Sequence, residues 1–508
     1  VCSRNQVCEF QRLGEFVQVE DFRFEGQKSK NTIDASSPAI ELDTYKCILC
    51  RRCVTMCNEI QGVGILNPQL RGFDTIIGPA ESLPIGESTC TYCGQCTTVC
   101  PVAAVKERDS TDSVWSALQD KNKVVIVQTA PAVRVALGEK FGLPAGTIVT
   151  GKMAADLRQM GFKYVFDTNF AADLTIIEEG MEFLERVKRY FYDNNLLPAN
   201  IKNKIALKLP SEKSKLPMIT SCSPGWIKYV EHHFPDLLDN LSSCKSPHMM
   251  LGALCKSYLA KKLNISPADM FVVSVMPCTA KKFEITREEM KNDGFRNVDA
   301  VITTRELARM IKDAGVDFLN IKDEDFDRPL GLSSGAADIF GATGGVMEAA
   351  IRTVYEIITG KELPFEKMHV QPLVGLQAIK TAELKFDDVL DEYSFLKGFT
   401  VKLAVTSGLK NAEILLNQIA AGKSEYHFIE VMGCPGGCIS GGGQPRPINN
   451  SIRQKRLEAI YREDEGKTLR KSHENPDIKQ LYADFLAEPL GHNSHKLLHT
   501  HYVKRERY

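Results

Sequence analysis

The sequence lacks long hydrophobic runs, an excess of either charge and a secretory signal pattern, and each absence excludes a class of protein. No apolar stretch among its 508 residues reaches the roughly 18 residues that cross a membrane. The formal net charge of −1 excludes the strongly basic surface that nucleic-acid binding requires. The first residues show no basic patch followed by an apolar stretch. We therefore expect a cytoplasmic protein that inserts into no membrane and binds no nucleic acid.

Cysteine, by contrast, is abundant, with 16 in the chain. Eight of them stand in two tight runs, CILCRRCVTMC (47–57) and CTYCGQCTTVC (90–100). A disulfide framework is not expected in a chain of this length without a secretory signal, so metal clusters are the natural interpretation. Each run reads C-x2-C-x2-C-x3-C, which is the spacing of bacterial ferredoxins that hold two 4Fe-4S clusters.

In that spacing, three cysteines of one run share a cluster with the last cysteine of the other run. The predicted ligand sets are Cys47, Cys50, Cys53 and Cys100 for one 4Fe-4S cluster and Cys90, Cys93, Cys96 and Cys57 for the second. A pair of zinc sites is the alternative, but zinc sites usually show two C-x2-C pairs well apart in the chain. The function that such clusters imply is electron conduction.

Composition divides the chain into three regions. Residues 1–35 are largely polar, and 36–113 carry the two cysteine runs with little apolar periodicity. From 114 to 508, short apolar strands alternate with helices, which predicts mixed sheets covered by helices. The expected fold class is therefore α/β, with a small α+β ferredoxin-like domain that holds two clusters followed by a large α/β domain.

Strands and helices of the large domain are read from short apolar runs and from apolar residues at helical spacing. The predicted strands are 123–131, 163–170, 270–278, 402–408 and 426–434; in addition, 216–226 is predicted as a strand that runs into a turn and 299–307 as a strand that leads into a helix. The predicted helices include 133–142, closed by Gly142, and 172–191, with Asp173 near its start.

Three further cysteine loops each follow a predicted strand: TSCSPGW (220–226), MPCTAKKFE (276–284) and EVMGCPGGCISGGGQP (430–445). Loops at the ends of parallel strands gather at one edge of a sheet. Three of their cysteines and one residue of the first loop would hold another cubane cluster, with the third loop's glycines letting backbone approach a bulky group. The alternative is that these are ordinary buried cysteines, which are common, although they stand beside Pro and Gly turns.

These three loops resemble the signature loops of iron-iron (FeFe) hydrogenases. The resemblance extends through KSPHMM, VITTREL, FGATGGVMEAA and RKSHEN to the tail, so it covers nearly the whole chain. It implies that 114–508 is a hydrogenase catalytic domain, which interconverts protons, electrons and H2. It also implies an H-cluster, in which a 4Fe-4S cubane is joined to a two-iron subsite bearing CO, cyanide and a dithiolate bridge.

The resemblance assigns roles to individual residues. Cys278 and Cys434 would be cubane ligands, and Cys438 would bridge the cubane and the two-iron subsite. Met276, Met432 and Pro131 would contact the subsite.

Charged side chains also match the family. Lys281 would contact a cyanide, which suits a cationic donor facing an anionic ligand, although Lys281 and Lys282 are alternatively a solvated pair. Glu179, Glu182 and Ser242 occupy the family's proton-relay positions, with Arg186 nearby. Glu179 and Glu182 are three apart and share one face of a helix; the alternative is a charged face in water.

One departure from the family lies in the first loop, where two adjacent cysteines are usual. The first relays protons and the second ligates the cubane, whereas this chain has Cys222 followed by Ser223. Ungapped alignment makes Cys222 the relay and puts Ser223, a poor iron ligand, at the ligand position. Ligand chemistry instead favours Cys222 as the fourth thiolate, with the relay passing to a hydroxyl or water.

Both ends of the sequence carry further signals. Cys2 and Cys8 resemble the end of the family's His-plus-three-Cys motif, so we expect further iron–sulfur clusters at or beyond this edge of the chain. The tail histidines are interpreted as part of a surface helix, with a metal site as the alternative; they are His492, His495, His499 and His501.

The partners that the resemblance implies are ferredoxin, flavin subunits that oxidise NADH as in electron-bifurcating enzymes, and the maturation enzymes that build the two-iron subsite. A sensory hydrogenase and an iron–sulfur assembly scaffold of hydrogenase-like sequence are the alternatives to a catalytic subunit.

Overall fold

Two four-stranded sheets form the framework of the chain after residue 114. The computed structural model describes residues 2, 4–21, 32–197, 202, 215–363 and 378–506; the remainder of the predicted N-terminal segment 1–35 lies outside the described residues. The strands, in chain order, are β1 (Ile33–Asp34), β2 (Ile40–Asp43), β3 (Asn67–Gln69), β4 (Ile76–Gly78), β5 (Val105–Glu107), β6 (Val124–Thr129), β7 (Tyr164–Asp167), β8 (Met218–Ile219), β9 (Met270–Met276), β10 (Lys291–Asn292), β11 (Phe295–Arg296), β12 (Ala300–Thr303), β13 (Ile379–Lys385), β14 (Thr400–Ser407) and β15 (Phe428–Met432).

The first large sheet has the order β12-β9-β6-β7, and all its pairs are parallel. The second has the order β13-β14-β15-β8, in which β13 is antiparallel and the other pairs are parallel. The central strands are buried throughout, as is typical of parallel sheets covered on both faces. The predicted α/β class with mixed sheets is therefore confirmed.

Helices cover both sheets and connect their strands. They are α1 (Glu9–Phe16), α2 (Arg52–Thr55), α3 (Gln95–Val99), α4 (Thr111–Gln119), α5 (Pro131–Arg134), α6 (Thr150–Gln159), α7 (Thr168–Asp193), α8 (Pro224–His233), α9 (Pro247–Leu254), α10 (Ala260–Leu263), α11 (Lys281–Glu284), α12 (Thr304–Asp313), α13 (Gly335–Asp338), α14 (Gly345–Thr359), α15 (Leu409–Ala420), α16 (Asn450–Gly466), α17 (Pro476–Leu481) and α18 (His492–Leu498). No helix of the described ranges is long and apolar enough to cross a membrane.

The ferredoxin-like region is built from short elements around its cysteines. Strands β1, β2 and β5 form one antiparallel sheet, and β3 pairs with β4 in a second. The apolar core of this region is small, and several of its cysteines pack into it. Because so little apolar surface is buried there, bound clusters would supply much of the stabilisation.

Two local predictions were wrong, and one strand was not predicted. The predicted helix 133–142 is instead the short α5 and a 3-10 turn, Leu137–Phe141, although Gly142 does end it with φ of +86°. Helix α7 begins at Thr168 because the Asp167 carboxylate caps its first turn, and Asp173 lies buried inside the helix. The antiparallel edge strand β13 was not predicted. Its buried and exposed residues alternate, as in an edge strand with one face in water.

Candidate active site

The two cysteine runs adopt the same local backbone. Leu49 and Arg51 have φ of 55° and 62°, and the corresponding Tyr92 and Gly94 have 58° and 67°. Left-handed conformations of this kind are uncommon for residues other than glycine, so their recurrence at matching positions is a feature of the motif. In the first run the turn lets the Leu49 N–H donate to the Cys47 sulfur at 3.4 Å, and each run then enters a short helix.

The thiols of the two runs group as the spacing predicts. Burial, followed by the charges of Cys100, Cys47 and Cys50, raises the pKa of Cys53 to about 12. In the second group burial, followed by the charges of Cys93 and Cys57, raises the pKa of Cys90 to about 12. Thiols this close do not ionise together without a shared cation, and iron supplies one.

A small cavity of about 20 Å³ lies between the thiols of the second group; its lining includes Cys57, Cys90, Cys93 and Cys96. The cavity is lined almost entirely by apolar groups and thiols. This donor set suits iron and sulfide better than the harder metal ions, so the residues present fit a 4Fe-4S cluster.

The three cysteine loops of the large domain meet where the strands of both sheets end. The first loop follows β8, the third follows the adjacent parallel strand β15, and the second follows β9 of the other sheet. The Gly443 N–H donates to the Pro277 carbonyl at 2.7 Å, which joins the third loop to the second. The Lys281 ammonium donates to the Cys222 carbonyl at 2.9 Å, which joins the second loop to the first.

Three thiols converge in this cleft. Burial, followed by the charges of Cys278, Cys93 and Cys438, raises the pKa of Cys434 well above its ordinary value. Burial, followed by the charge of Cys278, raises the pKa of Cys438 to about 12, with Lys281 opposing the shift. A buried set of soft donors around one centre fits a further iron–sulfur cluster. The alternative of ordinary buried cysteines does not account for this convergence.

The third loop lies directly against the ferredoxin-like region. The Gln95 amide donates to the Ser440 carbonyl at 2.9 Å, and a Cβ on Gly442 would lie only 2.5 Å from the Cys93 carbonyl oxygen. The glycines at 441 and 442 therefore allow the third loop to approach the backbone of Pro277 and Cys93 closely, and Gly443 allows it to approach the Thr303 side chain. Since Cys93 also lies beside Cys434, the second ferredoxin-type group adjoins the catalytic cleft.

Lys281 and Lys282 are both buried, at 8% and 4% exposed, so the interpretation as a solvated pair is wrong. Lys282 pairs with the buried Glu306 at 2.9 Å, and Lys281 pairs with Glu284 at 2.8 Å. Burial raises the pKa of the Cys278 thiol, and the charge of Lys281 opposes that shift. A buried ammonium beside thiols is suited to anionic ligands.

Sequence reasoning missed the residues that support Lys281. The Glu284 carboxylate also accepts from Ser246 at 2.8 Å and lies 2.7 Å from His248. Opposing the effect of burial, Lys281 and His248 lower the pKa of Glu284 to about 2. KSPHMM contains Ser246 and His248, and MPCTAKKFE contains Glu284, so the two motifs together already held the residues that support Lys281.

The acidic positions on α7 form a buried row. Glu179, Glu182 and Ser242 are 4%, 9% and 0% exposed, so the interpretation as a charged face in water is wrong. The Ser242 hydroxyl donates to Glu182 Oε2 at 3.1 Å and also hydrogen-bonds Glu179. Burial, opposed by that hydrogen bond, raises the pKa of Glu179 to about 8, which suits a group that exchanges protons near neutrality.

Cys222 and Ser223 face different parts of the cleft. Burial, followed by the charges of Cys438 and Glu179, raises the pKa of Cys222 well above its ordinary value. The Ser223 hydroxyl oxygen lies 2.6 Å from the position that a Cβ on Gly433 would take, next to Cys434 in the chain. Cys222 thus lies near the acidic row and near Cys438 of the third loop, while Ser223 lies against Gly433 of the same loop.

The remaining expected contacts stand at the ends of the central strands. Met276 and Met432 are the last residues of β9 and β15, and Pro131 begins α5 directly after β6. All three are buried. Met432 shares an apolar cluster with Cys222 and Cys438.

The fold and the site together define a redox protein with two ferredoxin-type iron–sulfur sites beside a cysteine-lined α/β cleft. Residues 46–104 match the 4Fe-4S dicluster domain, 123–442 the C-terminal domain of the iron-only hydrogenase large subunit, and 450–505 the iron hydrogenase small subunit. The chain therefore belongs to the iron-iron hydrogenase family. It is an oxidoreductase that uses 4Fe-4S clusters and an H-cluster in the interconversion of protons and hydrogen.

Individual relatives agree with this assignment. The NADP-reducing hydrogenase subunit HndD of Solidesulfovibrio fructosivorans is 48% identical over 100% of this chain and 82% of its own length. Iron hydrogenase 1 of Clostridium pasteurianum is 39% identical over 99% of this chain and 83% of its own. A structure of the hydrogenase HydA1 from Chlamydomonas reinhardtii has a TM-score of 0.66 and 42% identity, and covers 77% of this chain and 99% of its own. A cytosolic iron–sulfur cluster assembly factor of Xenopus tropicalis is more distant, at 29% identity.

Proposed function

We propose that this chain is the catalytic subunit of a multi-subunit hydrogenase, in which electrons cross two 4Fe-4S clusters to a six-iron H-cluster and protons cross a separate buried row. The observation that carries the proposal is the position of Cys222, whose thiol lies close enough to both Cys438 and Glu179 to be affected by their charges. Electrons and protons would thus reach the cleft from different elements, which a merely structural cluster would not require.

The ligand assignment follows from the grouping of the thiols. The first run with Cys100 would hold one cluster, and the second run with Cys57 would hold the other. Cys278, Cys434 and Cys438 would hold the cubane of the H-cluster, with Cys438 reaching the two-iron subsite as well. Because Cys50 is exposed and Cys93 adjoins Cys434, electrons would enter at the first cluster and leave the second toward the cleft.

The surroundings of Cys222 favour the relay over the ligand role that thiolate chemistry alone preferred. Its thiol lies close to Glu179 of the acidic row as well as to Cys438, whereas the Ser223 hydroxyl lies against Gly433, next to the proposed cubane ligand Cys434. We therefore assign Cys222 to proton transfer and leave Ser223 or a water on the fourth iron. The absence of a second cysteine at 223 then costs the cubane a thiolate and leaves the proton route complete.

When bound, the two-iron subsite supplies the redox centre at which protons and electrons combine. The protein would move the proton: Glu182 gives a proton to Ser242 as the serine hydroxyl gives its own to Glu179. Glu179 in turn passes its proton to the Cys222 sulfur as the Cys222 S–H gives its own proton into the cleft. Lys281 would hold an anionic ligand of the subsite, and the buried methionines and Pro131 would keep water away.

The electron partners of this subunit would be ferredoxin or flavin subunits that oxidise NADH. Its similarity to a subunit of an NADP-reducing hydrogenase supports a nicotinamide-linked complex. Further iron–sulfur clusters at Cys2 and Cys8 would extend the electron route, maturation enzymes would install the two-iron subsite, and the complex would operate in the cytoplasm.

The test is Glu182→Gln in the fully matured protein, with Glu185→Gln on the same helix as the matched control. The amide keeps the size of Glu182 but does not exchange protons near neutral pH, so H2 evolution should fall about a hundredfold or more. Infrared bands of CO and cyanide and an iron content of about 14 per chain should be unchanged. Normal H2 evolution in Glu182→Gln would contradict the proton route, and an iron content near eight in the parent protein, without those bands, would favour an assembly scaffold.

A further inference from the structure

The C-terminal tail contributes a histidine to the acidic row. His492 and His495 lie on α18 and are exposed, in accord with the surface helix expected for the tail. His499 and His501 both follow that helix; His501 is exposed and His499 is only 8% exposed, so for these two residues the expected surface helix was wrong. Its ring lies between Ser243 and Glu178, one residue away from the relay positions Ser242 and Glu179.

The two carboxylate oxygens of Glu182 have different surroundings. Oε1 accepts from the Arg186 guanidinium at 2.6 and 3.1 Å. The other Arg186 donors go to backbone carbonyls of Lys215, Asp239 and Leu241 at 2.7 to 2.9 Å. Because arginine does not lose its proton in proteins, Arg186 fixes Glu182 in place and is not a route for protons.

Glu182 Oε2 leads in the other direction. It accepts from the Ser243 hydroxyl at 3.1 Å, as it does from Ser242. The Ser243 hydroxyl oxygen lies 2.8 Å from His499 Nδ1, so one hydroxyl stands between the carboxylate and the imidazole. A proton could therefore move from the ring to Glu182 through a single serine, without a gap in the hydrogen-bonded chain.

Glu178 orients the imidazole from its other side. Its carboxylate lies 3.1 Å from His499 Nε2 and accepts from the Tyr482 hydroxyl at 2.5 Å and the Leu490 N–H at 2.9 Å. Opposing the effect of burial, the hydrogen bond and charge of His499, followed by Tyr482, lower the pKa of Glu178 below its ordinary value. A carboxylate kept ionised beside Nε2 holds the ring in position, as in other carboxylate–imidazole–hydroxyl arrangements.

We propose that Ser243 and His499 form the outer end of the proton route and connect Glu182 to solvent past His495. The inference rests on the proposed role of Glu182. In the step toward the cleft, the His499 Nδ1–H bond breaks and its proton binds the Ser243 oxygen, while the Ser243 O–H proton moves to Glu182 Oε2. The ring keeps its Nε2–H toward Glu178 and then regains a proton on Nδ1 from solvent that enters past the exposed His495 ring, whose centroid lies 4.5 Å away. Hydrogen oxidation runs the same steps in reverse.

His499 acts through Glu182 and touches no reacting atom, so its test needs a readout that a structural role would not change. In the matured enzyme, His499→Gln should lower kcat for H2 evolution about tenfold or more and raise the solvent deuterium isotope effect. The KM for the electron donor and the CO and cyanide bands should not change. His492→Gln, an exposed position on the adjacent helix, is the matched control. Added imidazole should restore turnover in His499→Ala.

A second pair of variants keeps the test independent of the folding of the His499 variants. Ser243→Ala removes the bridging hydroxyl and should reproduce the loss in kcat, whereas Ser243→Thr retains a hydroxyl and should restore most of it. If Glu182→Gln is inactive but Ser243→Ala and His499→Gln both behave like His492→Gln, protons reach Glu182 by another way and this inference is wrong. If Glu182→Gln itself turns over normally, the proposed role of Glu182 fails first.

Discussion

The ferredoxin-like region and the catalytic cleft gather thiols by different means. In the former, Cys47–Cys57 and Cys90–Cys100 each place their thiols through a local backbone with left-handed residues at matching positions. In the latter, Cys278, Cys434 and Cys438 come from loops of two different sheets and meet only in the folded domain. Ligands that lie close together in the sequence can be predicted from their spacing. Ligands that the chain topology brings together can be identified only once the fold is known.

The two regions also differ in what surrounds the thiols. Around the second ferredoxin-type group the cavity is lined by no carboxylate of the described residues, although the buried Lys228 ammonium donates to the Cys90 carbonyl at 2.7 Å. Around Cys222 and Cys438 lie a buried ammonium, Lys281, and a row of buried acids on α7. Titratable groups are costly to bury unless they are paired or functional, so their concentration at the cleft marks where protons are handled.

The largest effects should come from removing one thiol in each region. Cys438→Ala should abolish H2 turnover and leave about eight irons of the expected 14, because the whole H-cluster depends on that residue. Cys50→Ala should leave about ten irons and retain the CO and cyanide bands, because only the outermost ferredoxin-type cluster is lost. Iron analysis and infrared spectroscopy of the matured variants provide both readouts. Loss of the CO bands in Cys50→Ala would show that the two regions do not assemble independently.

The next effect distinguishes the two residues of the first loop. Cys222→Ala should lower turnover about a hundredfold or more while the infrared spectrum of the H-cluster persists, because only proton transfer is removed. Ser223→Cys should retain turnover and make the cubane more resistant to iron loss, since a fourth thiolate replaces a harder donor. A Cys222→Ala protein without its cubane signal would instead make Cys222 the fourth ligand.

The same contrast explains what the sequence could and could not predict. The pairing of Cys57 with the second group followed from spacing, and the strands before each cysteine loop followed from runs such as 270–278. The surroundings of Cys222 in the cleft did not follow from the sequence, because packing in the folded domain decides where the side chains of adjacent loop residues point. The burial of His499 was missed for a related reason: a polar tail gives no apolar pattern, and its neighbours Glu178 and Ser243 are distant in sequence.

A smaller effect is expected where the two regions touch. A Cβ on Gly442 would lie 2.5 Å from the Cys93 carbonyl oxygen and 2.8 Å from Gly94 Cα. Gly442→Ala should therefore lower stability by about 1–3 kcal/mol, as overpacking does, and slow electron transfer into the cleft severalfold. Thermal inactivation and donor-dependent H2 evolution measure the two effects. Gly466→Ala, with open space around the added methyl group, is the control. Equal stability of the two variants would show that the contact between the regions adjusts freely.

The smallest expected effect is a change in one protonation state, and it concerns two adjacent acids of α7. Burial raises the pKa of Glu179 to about 8, whereas the contacts of Glu178 with His499 and Tyr482 keep its pKa below the ordinary value. At pH 7 Glu179 should therefore be protonated and Glu178 ionised.

Infrared difference spectra between parent and variant isolate each residue from other buried acids, such as Glu430, whose pKa is raised to about 7. Glu179→Gln should remove a protonated-carboxyl band that disappears in the parent as the pH rises through about 8. Glu178→Gln should remove no such band at pH 7. Because the relay donates from the protonated form of Glu179, H2 evolution should decline over the same rise in pH. If the band persists to pH 10, deprotonation of Glu179 is not the cause of that decline.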